Sequence, residues 1–137
     1  MKSFKKSILA AGLALAVITT IGGTAVFAAV NAPKSFNDIP FAGSYVTAKS
    51  EMYYNTAYAY TSYGNYADSL SVESTYIYWD NLRGIYGTQV KKAGHYKSAR
   101  VDFVAPPGCK SVNISSTHKV AKNYQSWTAD TFDDKEA

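Results

Sequence analysis

Tyr96-Lys97-Ser98-Ala99-Arg100-Val101-Asp102-Phe103-Val104-Ala105 is the stretch that decides the fold. Ala99, Val101, Phe103 and Ala105 fall on one side of an extended chain, and Ser98, Arg100 and Asp102 on the other. A period of two is the signature of a half-buried strand. Pro106-Pro107-Gly108 ends it, because proline cannot continue a ladder and a Pro–Gly pair suits the central positions of a type II turn.

The same pattern extends in both directions. Downstream, Lys110 to Val120 predicts a strand with Val112, Ile114 and Val120 inward and Ser111, Asn113, Ser115 and Thr117 outward. Asn123 to Thr128 predicts a last strand. Upstream, Ile85 to Lys91 is a strand that Lys92-Ala93-Gly94-His95 turns, and Asp80 to Gly84 is a loop. Ser69 to Trp79 sets Leu70, Val72, Tyr76 and Tyr78 against Ser69, Ser71, Glu73 and Thr75, until Ile77 and Trp79 make both sides apolar. Met52 to Ser62 puts Tyr54, Tyr58 and Tyr60 on one face and Ala57, Ala59 and Thr61 on the other, with a turn at Tyr63-Gly64-Asn65-Tyr66. Gly43 to Ala48 is a short strand. Residues 29–42, with Pro33 and Pro40, read as a leader strand or linker. About seven strands with regular turn signals predict an all-β fold, a single antiparallel β-sandwich or small barrel over residues 43–128. Residues 129–137 read as an acidic, flexible tail.

Residues 1–28 read as a signal peptide. Lys2, Lys5 and Lys6 precede an uncharged run of 23 residues from Ile8 to Val30, and Val26-Phe27-Ala28 supplies a cleavage site after Ala28. Such a run is also long enough to span a bilayer, so an uncleaved anchor is the other reading. Cleavage predicts a secreted, extracellular product with no membrane span. The Lys-rich start looks Gram-positive. Losing those three Lys reduces 14 basic residues to 11 against 10 acidic ones, so nucleic acid is not an expected partner.

The chemistry-bearing residues are few. A single cysteine, Cys109, excludes an internal disulfide and a thiolate-rich zinc site, leaving an inert core residue or an intermolecular disulfide. His118 shares strand parity with Val112, Ile114 and Val120 and reads as a core histidine, whereas His95 follows a turn glycine. No nucleophile motif, metal constellation or nucleotide loop is legible, so the expectation is no enzyme, no catalytic residue, no metal and no cofactor. Tyrosine is the strongest feature, at 12 residues. A phenol ring offers a flat apolar face and a polar tip, which suits ligand contact as well as cross-strand packing. The expected ligand-binding set is Tyr54, Tyr58, Tyr60, Tyr76 and Tyr78 gathered on one sheet, Trp79 as anchor, and Lys91, Lys92 and Lys97 as attraction for anions. Arg100 and Asp102, two apart on one strand, read as a surface ion pair.

The order of parts resembles the small secreted β-sandwich bacteriocins of the lactococcin class. The residues that carry it are the Tyr/Ser-rich stretch NTAYAYTSYGNYADSLSV (Asn55 to Val72) after a signal peptide, and Lys92-Ala93-Gly94-His95-Tyr96-Lys97-Ser98-Ala99-Arg100-Val101 before a Ser-rich strand. The resemblance covers Tyr54 to Val120. It implies export, a β-sandwich and interference with cell-wall synthesis through a lipid-linked precursor, and it assigns no site residue. The Pro-Pro-Gly-Cys turn and the length of the mature chain depart from that class. Two functional expectations therefore stand: a released protein that binds a cell-envelope or other extracellular ligand, and a structural protein that self-associates.

Overall fold

A computed structural model describes residues 32–134. The segment read as a signal peptide, the cleavage site expected after Ala28, and residues 135–137 of the expected tail lie outside the described residues. Eight strands run in order: β1 (Ser35–Phe41), β2 (Ser44–Met52), β3 (Thr56–Tyr63), β4 (Ser69–Asp80), β5 (Ile85–His95), β6 (Ser98–Val104), β7 (Cys109–Lys122) and β8 (Gln125–Asp134). They form two four-stranded antiparallel sheets. Sheet A has the order β1-β2-β3-β6 and sheet B the order β5-β4-β7-β8. The chain changes sheet at β3–β4, β5–β6 and β6–β7, so neither sheet is a simple meander. No helix among the described residues is long and apolar enough to cross a membrane.

The alternation read in the sequence is the burial pattern of the sheets. β3 alternates buried and half-buried positions and β6 buried and exposed ones along their whole lengths, with Ala57, Ala59, Thr61, Ala99, Val101 and Phe103 inward. From sheet B, Leu70, Val72, Tyr76, Ile114 and Val120 meet them. The Tyr76 and Phe103 rings lie 5.2 Å apart across the interlayer core. Burying side chains of this size contributes about 2 kcal/mol each, the main force holding the layers together. Thr75, Ile77, Val90 and Phe132 are also buried, on the side of sheet B that faces away from sheet A.

The stretch read as a leader strand or linker is the strand of those two readings and supplies β1. It pairs with β2 through a two-residue turn whose Ala42 and Gly43 both have positive φ, 46° and 81°. The tail does not begin at residue 129: β8 runs through Asp134, because Asp130, Thr131 and Phe132 pair with β7, and Thr131 and Phe132 are buried. Finally, Ser111 is not outward and Val112 is not fully inward. A bulge opposite Ile77 and Tyr78 inserts Val112 as an unpaired residue. The extra residue reverses side-chain parity. Before it, Cys109 and Ser111 face the core; after it, Ile114, Ser116, His118 and Val120 do.

Lys92-Ala93-Gly94-His95 does not turn the chain: it pairs with Leu70 to Glu73 as the end of β5, and the bend falls at Tyr96-Lys97. The Pro-Pro-Gly turn behaves as read. Cys109 N–H donates to the Pro106 carbonyl at 3.0 Å, and Gly108 has φ 82°, which only glycine adopts without strain.

Candidate functional site

The outer face of sheet A carries two rungs. Lys49, Tyr60 and Arg100 lie opposite one another on β2, β3 and β6; Glu51, Tyr58 and Asp102 form the next rung. Strand periodicity places them there, since each alternates with a buried residue. The Tyr58 and Tyr60 rings are nearly parallel, 7° apart in plane with centroids at 6.2 Å. Tyr53, at the β2–β3 turn, continues the row at 6.3 Å from Tyr58. The Arg100 guanidinium sits 4.2 Å above the Tyr58 ring, a cation–π contact, and is fixed by Asp102 through bonds of 2.9–3.1 Å.

Polar partners hold the row in place. Tyr58 hydroxyl donates to Glu51 at 2.8 Å, and Lys49 Nζ lies 2.9 Å from the same carboxylate. Burial first, then the hydrogen bond to Glu51, pushes the Tyr58 pKa up to about 12, so the phenol stays protonated and donating. The hydrogen bond from Lys49, then that from Tyr58, holds Glu51 below its ordinary value, while Glu51 raises Lys49 and Asp102 raises Arg100. The result is a row of aromatic rings with two cations on one rung and two acids on the next. It can stack a flat or amphipathic ring and exchange hydrogen bonds at its edges.

The other expected site residues are dispersed. Tyr54 is exposed in the β2–β3 turn, off the regular strand. Tyr76 is completely buried, with its hydroxyl 2.7 Å from Ser111 Oγ, and Tyr78 packs inward beside the core. Neither faces a ligand. They share parity with Leu70 and Val72, and a two-layer sandwich puts that face against sheet A. Trp79 lies on the opposite side of sheet B, edge-to-face with Tyr86 at 4.9 Å. The single Tyr/Trp sheet expected from the sequence is therefore three separate surfaces.

The three lysines also separate. Lys91 Nζ donates to the Asp102 carbonyl at 2.6 Å and lies 5.3 Å from the Phe103 ring, closing the gap between edge strands β5 and β6. Lys92 pairs in register with Glu73 on the outside of sheet B. Lys97 lies 5.2 Å from the Tyr66 ring at the end of the sandwich. Cys109 is buried, its thiol 3.9 Å from the Pro107 carbonyl, and burial raises its pKa. A buried thiol with little thiolate is poorly placed for pairing between chains.

His118 is fully buried between the sheets. Its Nδ1 is 2.8 Å from Thr61 Oγ1 and its Nε2 is 2.7 Å from Thr131 Oγ1. From Thr131 the network runs to Ser50, Ser116 and Ser74 through contacts of 2.6–2.7 Å, all buried. Desolvation brings the imidazole pKa down to about 4. A neutral histidine donating through one nitrogen and accepting through the other is satisfied there. No solvent reaches it, so it tethers the sheets. Among the described residues no group of His, Cys, Asp or Glu is arranged to hold a metal ion.

Sequence reasoning missed Arg100 and Asp102 as part of the aromatic row. The signal was their shared outward parity with Tyr58 and Tyr60, but the pairing of β3 with β6 is a non-local fact. Scans of protein families, of characterised proteins and of solved structures each return no match to this chain.

Proposed function

We propose that this chain is a secreted, non-enzymatic β-sandwich that binds a cell-envelope or other extracellular ligand through the outer face of sheet A. The parallel Tyr58–Tyr60 pair, extended by Tyr53 and overlaid by Arg100, carries the proposal. Aromatic rings held parallel beside fixed hydrogen-bonding neighbours are preorganised, and preorganised contacts lose little entropy on binding. The apolar, Lys-led N-terminal segment supports export, and the order of parts shared with lactococcin-class bacteriocins makes the Gram-positive wall the first surface to test.

The test is a pull-down of the exported protein on isolated Gram-positive cell wall, with size-exclusion elution recorded in the presence and absence of reductant. Saturable binding by a monomer is expected, and the double variant Tyr58→Ser/Tyr60→Ser should lose it while keeping its β-type circular dichroism. Undiminished binding by that variant sinks the sheet A surface. A large assembly that ignores the wall moves the role to self-association.

A further inference from the structure

A second cluster of exposed aromatics lies away from sheet A's aromatic row, where four connections meet at one end of the sandwich. They are the β1–β2, β3–β4, β5–β6 and β7–β8 turns. Three of the turns bring a tyrosine to solvent, Tyr66 63% exposed, Tyr96 61% and Tyr124 fully, and Tyr45, 57% exposed, follows the β1–β2 turn at the start of β2. The residues around them are Ala42-Gly43-Ser44, Gly64-Asn65, Asp68-Ser69, Gly94-His95, Lys97-Ser98, Lys122-Asn123 and Gln125-Ser126. Tyrosines set among Ser, Gly and Asn are the composition of recognition loops. The ring supplies contact area at low entropy cost and the small polar residues adapt their hydrogen bonds.

The end is held rigidly. Gly64 N–H donates to the Tyr45 carbonyl at 2.9 Å, Tyr63 N–H to Lys97 at 2.9 Å and Ala67 N–H to Tyr96 at 2.7 Å. Asp68 Oδ2 accepts the Asn123 N–H at 3.0 Å, and Asp68 N–H donates to the Ala121 carbonyl at 2.8 Å. Neighbouring connections are thus bonded to one another and present their side chains in fixed relation. Asn123 and Tyr124 are held there at φ 52° and 61°, a conformation unfavourable to tyrosine. Between Asp68, Ser69, Leu70 and the facing Gly94, His95 and Tyr96 lies a shallow recess of about 340 Å³.

That recess has the chemistry of a sugar site. A pyranose has C–H patches that lie on an aromatic face and hydroxyls that both donate and accept. Tyr96 supplies the face. The Asp68 carboxylate has acceptor capacity beyond the one N–H it receives, Ser69 donates and accepts, and His95, whose Nδ1 accepts the Lys97 N–H at 3.3 Å, offers its Nε2–H as a donor. The volume falls within the range of small-ligand sites. We propose that this end of the sandwich binds a saccharide, with one ring in the Asp68–Tyr96 recess and adjoining rings against Tyr66 and Tyr124. The inference stands on the loop end alone and goes beyond the sheet A reading.

The test follows amide NMR shifts of the protein expressed from its full sequence. The probes are N-acetylglucosamine, galactose, mannose, rhamnose and soluble peptidoglycan fragments. Shifts confined to residues 64–69, 94–98 and 122–126 are expected with at least one of them. Tyr96→Ser should weaken that Kd roughly tenfold, the scale of one lost aromatic contact. Gly94→Ala should weaken it too by narrowing the recess; its Cβ meets nothing closer than the Leu70 carbonyl at 3.5 Å, an ordinary contact that the fold accommodates. Absence of loop-end shifts with every probe overturns the inference, as do shifts that survive both variants. Shifts only at residues 53–60 overturn it while leaving the sheet A reading intact. Loop-end shifts that persist in Tyr58→Ser/Tyr60→Ser support it even if wall binding is lost.

Discussion

At the scale of single residues, His118 shows how a polar side chain is retained in a core. Both of its side-chain hydrogen-bond partners are hydroxyls, those of Thr61 and Thr131, and no charged group is among the causes of its shift. Its folded pKa, about 4, lies below the ordinary 6.5. Between those values the unfolded chain binds more protons than the folded one, so stability rises with pH through that window and is lost as pH falls through it. The fall should reach about 3 kcal/mol for an ideal isolated group. Asp133, whose pKa burial raises, works the other way and offsets part of the fall at its acidic end. Denaturation midpoints measured from pH 7 to pH 4 should decline in the native protein and decline less in His118→Gln. Parallel profiles would contradict the assignment. Tyr124 makes the complementary case. Glycine at its left-handed position should raise stability by about 1 kcal/mol, because an Asn–Gly pair suits such a turn. The same Tyr124→Gly change should weaken saccharide binding at the loop end, and thermal melting with a sugar titration reads both effects.

At the scale of elements, Gly87 on β5 is the cross-strand partner of Tyr78 on β4, and the Tyr78 ring lies across the glycine where a side chain would project. The missing Cβ lets the ring lie flat over β5 beside the core. Gly87→Ala should lower stability by about 1–3 kcal/mol through overpacking. In the background of Tyr78→Ala most of that penalty should vanish, since the two positions share one space. Equal penalties in both backgrounds would show that the glycine matters for its backbone instead. The bulge at Val112 is the other device at this scale. One additional residue lets β7 send Ser111 and Cys109 inward at one end and His118 and Val120 inward at the other. A strict period of two could not do both.

For the whole molecule, the two layers decide what each strand face becomes. The sequence by itself determined that Ala99, Val101 and Phe103 share a buried face, that Pro106 to Gly108 turns the chain, and that Tyr58 and Tyr60 point the same way. Each of these is a local property of an extended chain, fixed by side-chain alternation or by the dihedral limits of proline and glycine. The tertiary structure alone decided that Tyr76 is core while Tyr58 is surface, although both sit on alternating strands rich in Tyr. It also decided that Arg100 lies on Tyr58, that Lys91, Lys92 and Lys97 serve three different places, and that four separate turns converge on one end. Those outcomes depend on which strands pair and which sheet faces close on each other. The free energy that selects them comes from burying apolar area between residues far apart in sequence, and no local period encodes that choice.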